Sequence, residues 1–475
     1  MIRKCFVSLF LACVPSAITT SITPNQPVVI DTDVAIIGGG AAGTYAAVRL
    51  REDLSTRVVV IEPRDHLGGH TSTYVVPETN TPLEYGVQSY IVNDAAIAFF
   101  TRFGIATQPF TSKRNTAITV DVTTGARLDY SAPGLNATND ALQRWLNIIA
   151  KYAPLVEPGY WKFPKDVPKE LLMTVENFVK LHQLEDSLSR IITISGIGYG
   201  GVRDLLVFNL LRSFGPSLTK QVIDNSLVVP VGSNSLVYQR ALALLKEDVL
   251  LSSTVRSAKR TPEGTQLLVK QGSKSYVINA KRILYTAPPN PSVLAPYDLD
   301  ETEKAILTQG HVEGEFIGVA SIPCLAENTS INHIPAAAAP ANHLNLRDYP
   351  FALRLDSTGP SGLGLFRVIA GANFTLTAEE LRANVTAAVQ RLSTAGTISG
   401  NCSVEFKALS DHTRLQWYIK KEQLEAGFIR DLYALQGYRG TWWTGYAFAA
   451  PYSSTVWAFT DAVVQKLVAD LSGTH

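Results

Sequence analysis

The residues whose types and spacing best suit chemistry lie near the start of the chain. Gly38-Gly39-Gly40-Ala41-Ala42-Gly43 follows directly on the apolar run Asp33-Val34-Ala35-Ile36-Ile37, and Thr44 to Arg51 continue with helical apolar spacing. A strand, a glycine turn and a helix in that order suit a dinucleotide. Gly38 permits the tight turn, Gly40 lets a pyrophosphate approach the backbone, and Gly43 lets helix pack on strand. The helix N-terminus, at Ala41 and Ala42, offers free N–H groups and positive potential to the phosphates. A second apolar strand, Arg57-Val58-Val59-Val60-Ile61, ends in Glu62, 19 residues past Gly43. A carboxylate at that place accepts hydrogen bonds from ribose hydroxyls, and its charge disfavours the 2′-phosphate of NADP.

Pro63-Arg64-Asp65-His66-Leu67-Gly68-Gly69-His70-Thr71 comes next. A second glycine pair allows close backbone approach to a long cofactor. Glu62-x-Arg64 with Gly68-Gly69 is similar to the early motif of the flavin-dependent amine oxidase superfamily, which has the monoamine oxidase fold. Gly-Gly-His-Thr in place of Gly-Gly-Arg, then Glu84-Tyr85-Gly86-Val87, resembles the fungal β-cyclopiazonate dehydrogenase-like branch. The resemblance runs from about Asp33 to the C-terminus, and is weak in the middle. It implies FAD as cofactor, with Glu62 on the ribose and Arg64, Gly69, His70, Thr71, Gly86 and Val87 along the pyrophosphate and flavin. It further implies that the Val255 backbone meets the adenine and that the Val456 N–H faces the flavin N1–O2 edge. Gly445 is followed by Tyr446, where the family has Gly-Glu, which leaves open how that segment holds the ribityl chain. His70 also leaves open a covalent flavin link.

The elements that must position these residues read as an α/β fold. A Rossmann-like FAD-binding domain is assembled from residues 28–92, 226–290 and 425–475, and an α+β substrate-binding region from 93–225 and 291–424. Leu236 to Leu245 reads as a helix, followed by strands at 249–252, 255–259, 265–270, 275–279 and 282–286. Thr441 to Tyr446 lead into a C-terminal helix ending near Leu471, with Ser454 or Thr455 as N-cap. Residues 93–225 read as largely helical, clearest at Leu171 to Leu184 and Asp204 to Arg212. Further on, helices are expected at Ala378 to Leu392 and Asp411 to Leu424, and strands at Phe316 to Ile322 and Gly364 to Ile369.

Composition narrows the function classes. In 475 residues, 46% hydrophobic and 17% charged exclude disorder, and 42 basic against 41 acidic residues give no footprint for nucleic acid. Arg3 and Lys4 before the short apolar run Cys5 to Val14 match a secretory signal peptide, placed at 1–20, and no membrane span is expected. That leaves Cys324 and Cys402, either one disulfide or two buried thiols. Asn136, Asn328, Asn373, Asn384 and Asn401 head glycosylation sequons, expected on surface loops of a secreted protein. The histidines His311, His333, His343 and His412 are scattered, so no metal site is expected, and each reads as a surface or satisfied polar residue. No Gly-x-Ser-x-Gly marks a hydrolase.

A flavin accepts hydride itself, so the protein need only orient a C–H bond and exclude water. Trp442, Trp443 and Tyr446, with Tyr452, are candidates for the substrate-pocket wall. The expected activity is dehydrogenation of a small organic molecule in secondary-metabolite biosynthesis, with O2 left open as electron acceptor. The alternative is a flavin-dependent isomerase of an unsaturated fatty acid or similar apolar substrate, with no net redox change.

Overall fold

The structure, a computed structural model, describes residues 27–261, 263–400 and 402–473. The expected signal segment, 1–20, and Asn401 lie outside the described residues.

Two seven-stranded sheets organise the chain. In the first, Val28–Ile37 is central, parallel to Val58–Ile61 on one side and to Lys274–Tyr285 on the other. Val34, Ala35, Ile36 and the whole of Val58–Ile61 are buried. Unbroken apolar runs of this kind belong to parallel strands covered on both faces. Val249–Leu250 extends the sheet beyond Val58–Ile61; Gly264–Gln271 and Ser253–Thr261 extend the other side as an antiparallel meander. Thr441–Trp443 joins parallel to the end of Lys274–Tyr285. The two strands expected at 275–279 and 282–286 are therefore one. The polar residues that suggested a break are tied to the neighbouring strand, with Asn279 bonded to Asp31 and Lys281 paired with Asp33.

The second sheet runs in the order Glu405–Asp411, His311–Ser321, Leu365–Ala372, Phe351–Ser357, Thr329–Ile334, Thr116–Asp121. Helix Ala378–Thr394 covers one face through Leu381, Val385, Ala388, Val389 and Leu392. The largely helical reading of 93–225 fails at Thr116–Asp121, which pairs parallel with Thr329–Ile334. The helix expected over Asp411 to Leu424 is also corrected. Arg414–Gln416 pairs with His311–Glu313, and only Lys421–Ala426 is helical there. Sheet partners remote in sequence override local helical spacing. Helices Leu135–Ile149, Val175–His182, Glu185–Ser195 and Val207–Ser213 share one continuous core with the first sheet.

Cys324 and Cys402 form a disulfide, Cα–Cα 5.6 Å. Asn136, Asn328 and Asn384 are exposed, but Asn136 and Asn384 sit on helices rather than loops. Asn373 is half-buried with its amide packed against Gly200, which does not suit a glycan acceptor. Among the described residues no helix is long and apolar enough to cross a membrane.

Candidate active site

The first strand delivers Gly38 to Gly40 at the C-terminal edge of the sheet, and helix Ala41–Val48 starts there. Gly38 adopts φ +103°, open to glycine at little cost. Glu62 ends the neighbouring strand and closes the turn. Its carboxylate accepts from Gly39 N at 2.6 Å and from Arg64 N at 2.8 Å. Burial pushes the Glu62 carboxyl up, and these two amides pull against it. Arg64 donates to Gly69 O at 2.6 Å and Asp411 O at 3.0 Å, tying the second glycine pair to the second sheet.

The two glycine turns touch: a Cβ on Gly69 would lie 2.9 Å from the Gly40 Cα. No side chain covers the backbone at that contact, which is what a pyrophosphate needs. The Gly86 backbone packs as closely on the His70 carbonyl, and Val87 N donates to that carbonyl at 3.2 Å. Ser252 N and Ser253 N donate to the carbonyls of Arg64 and Glu62, so the strand carrying Val255 starts beside the acid. Glycine cradle, buried acid and adjoining strand together fit an adenine dinucleotide.

The C-terminal helix Ser453–Leu471 points its N-terminus at the same region, but not through the expected groups. Tyr452 is the N-cap, and Ser454 and Thr455 lie inside the first turn with no side-chain cap bond. The Val456 N–H donates to Tyr452 O at 2.8 Å and is already used. As in any helix, the unbonded amides are those of the first three positions, here Ser453, Ser454 and Thr455. Thr71 Oγ1 and Ser454 Oγ are buried without a hydrogen-bond partner among the described residues.

His70, Tyr446 and Tyr452 are half-buried. The His70 ring stacks on His412 at 4.3 Å and faces Tyr446 at 5.8 Å. Burial, with Arg64 and Arg414 nearby, lowers the His70 pKa to about 4, so the imidazole is neutral at pH 7. Trp442 does not join them. It donates to Asp470 at 3.0 Å, at the opposite end of the C-terminal helix, about 20 Å from Val456. Trp443 is buried against Tyr285 and Phe448, which is core packing.

His412 was missed as a site residue. It is buried, not a surface group, and its Nε2 has no hydrogen-bond partner among the described residues. Its only sequence signal was its residue type, because the segment that carries it reads as helix. Among the described residues there is no metal-binding cluster.

Fold and cradle are those of an α/β dinucleotide-binding oxidoreductase. Residues 36–103 match the family model of the NAD(P)-binding Rossmann-like domain. The FAD-dependent oxidoreductase pigF of Monascus ruber is 33% identical over 92% of this chain and 91% of its own length. Beta-cyclopiazonate dehydrogenase of Aspergillus flavus is 28% identical over 93% and 94%. Among solved structures, a CLA-producing fatty acid isomerase from P. acnes superposes with TM-score 0.70 at 15% identity, over 92% of this chain and 98% of that one. Putrescine oxidase superposes with TM-score 0.60 at 18% identity, over 94% and 100%. The chain belongs to the family of FAD-dependent oxidoreductases that includes pigF and beta-cyclopiazonate dehydrogenase.

Proposed function

We propose that this FAD-dependent oxidoreductase dehydrogenates a small organic substrate by hydride transfer to flavin N5, in fungal-type secondary-metabolite biosynthesis. The observation that carries the reading is the Glu62 carboxylate, bonded to Gly39 N and Arg64 N beside the contact between Gly40 and Gly69. Bound there, FAD supplies a two-electron acceptor. The chain's own residues do the rest. Glu62 keeps lone pairs for ribose hydroxyls, the glycine turns admit the pyrophosphate, and the free amides of Ser453 to Thr455 offer positive potential to the flavin's N1–O2 edge. His70 and Tyr446 wall the cavity as neutral groups that orient the substrate and exclude water.

The domain division follows the same logic. Segments 28–92, 226–290 and 425–475 serve the cofactor, and 93–225 with 291–424 the substrate. The basic and apolar start, Arg3 to Val14, supports secretion or a secretory-pathway lumen, and the exposed Asn136, Asn328 and Asn384 suit glycosylation there. O2 is the proposed electron acceptor. Anaerobic mixing with candidate substrates tests the activity: dehydrogenation bleaches the flavin, and an isomerase returns it oxidised. A flavin that turns product over without bleaching would replace the proposal by the isomerase reading.

A further inference from the structure

The second sheet ends behind His70 and Tyr446 in buried charges that the cofactor does not account for. Glu313 and Glu315, two apart on one strand, share a face. Glu313 is fully buried, and Glu315 and Arg414 are each 9% exposed. Arg414 Nε lies 3.5 Å from Glu313 Oε2 and 3.4 Å from Glu315 Oε2, ion-pair distances longer than a good hydrogen bond. The Arg414 guanidinium also donates to Gly196 O at 2.7 Å. Tyr418 OH donates to Glu313 at 2.5 Å, and Tyr199 OH to Glu315 at 3.1 Å. Glu313 Oε2 and Arg414 Nε are otherwise without a hydrogen-bond partner among the described residues.

Two carboxylates therefore face one guanidinium, one negative group in excess. Burying an uncompensated carboxylate is costly, and apolar side chains would be cheaper. Burial pushes the Glu313 carboxyl up, Arg414 opposes this, and Glu315 adds to it. The other titratable or charged groups around the cluster are Tyr418, Tyr199 with Arg347 4.7 Å over its ring, His311 on the same strand, Tyr446, and, on the Arg414 side, Tyr452, His70 and His412. Burial raises the four tyrosines and lowers His70 and His412, so all six stay neutral. The set adjoins His70 and Tyr446 through the main chain: His412 N donates to Glu315 O at 2.8 Å, the His412 ring stacks on His70 at 4.3 Å, and Leu415 N donates to Tyr446 OH at 3.0 Å.

We propose that Glu313, Arg414 and Glu315 form an internal proton acceptor coupled to FAD reduction. The inference rests on the dehydrogenation reading and deepens it. It names substrates with an N–H or O–H beside the C–H that is oxidised. The C–H bond breaks and its hydrogen leaves with the electron pair to FAD. The heteroatom–H bond also breaks; its electron pair becomes the new double bond, and its proton goes to the excess carboxylate as a new O–H. One carboxylate then remains against Arg414. The negative charge that reduction brings to the flavin raises the affinity of the Glu313 carboxylate for that proton in the same step.

The test needs no substrate. Anaerobic dye-coupled reduction of the FAD-loaded protein, repeated across neutral pH, gives the protons taken up per two electrons from the slope of midpoint potential against pH. The reduced-flavin spectrum shows whether the flavin itself is anionic. The expected result is two protons per two electrons in the wild type with an anionic reduced flavin. Glu313→Gln and Glu315→Gln leave one carboxylate for one guanidinium and should each take up one proton. A wild-type slope of one proton, a neutral reduced flavin that accounts for the second, or unchanged slopes in both variants would overturn the proposal. The wild-type slope decides it even if a variant does not fold. Protein that binds no FAD would instead sink the oxidoreductase reading beneath it.

Discussion

The two ends of the active site hold their ligands by different means. At the glycine end the main chain does the work: amides of Gly39 and Arg64 fix one carboxylate, and bare backbone at Gly40 and Gly69 leaves room for phosphates. At the end of the second sheet, polar and charged side chains converge from three remote segments, Glu313 with Glu315, Arg414, and the neutral Tyr199. Backbone recognition demands particular residues at fixed short spacing. Convergent side chains demand only that the fold bring them together. The first end should therefore fail sharply when a single Cβ is added, and the second should keep its cofactor while losing its proton chemistry.

The largest effect is expected at Gly43. A Cβ there would lie 1.9 Å from Gly38 O, backbone that cannot yield without opening the turn. Gly43→Val should cost about 3 kcal/mol or more of stability and abolish FAD retention, read by thermal unfolding and flavin content. Next comes Glu62→Gln. A glutamine offers one oxygen where two amides and a ribose need acceptors, so FAD affinity should fall by about 1.5–3 kcal/mol, measured by titration of apoprotein. Unchanged affinity would remove Glu62 from the ribose.

A smaller effect concerns acid. His70 and His333 have pKa values lowered to about 4, chiefly by burial, and His412 lies well below its ordinary value. The unfolded chain takes up protons near pH 6.5 that the folded state refuses. Stability present above about pH 6.5 is thus lost as pH falls toward 4. His412→Phe keeps the stack on His70 and removes one such proton. The acid limb of denaturant unfolding should become shallower by up to about 1.4 kcal/mol per pH unit. The smallest effect is at the helix N-terminus. Ser453→Pro removes a free amide at a position that accepts proline, and should lower the flavin potential by about 10–20 mV. Val456→Ala, whose amide serves the helix, should leave it unchanged.

This division also decides what could be read from the sequence. Gly38 to Gly43, Glu62 and the apolar strands were legible because phosphate recognition and parallel pairing each impose a local pattern. Register at the helix start was not: Val456 lies one residue past the last free amide because the cap is Tyr452, which carries no side-chain capping signal. Arg414–Gln416 carries helical apolar spacing and becomes strand only through pairing with His311–Glu313, a hundred residues away. His412, two residues before Arg414, was hidden by that same misreading. Trp442 looked like cavity wall by neighbourhood in sequence, yet alternation along its strand turns it toward Asp470.

The most direct test of a backbone-built cofactor end and a charge-built substrate end measures bound FAD and proton uptake on reduction in the same three proteins. The wild type should hold FAD and take up two protons per two electrons. Glu62→Gln should lose FAD affinity but, once saturated with FAD, still take up two. Glu313→Gln should hold FAD as tightly as the wild type and take up one. Loss of FAD affinity in Glu313→Gln with the proton count unchanged, or full affinity in Glu62→Gln, would contradict this division.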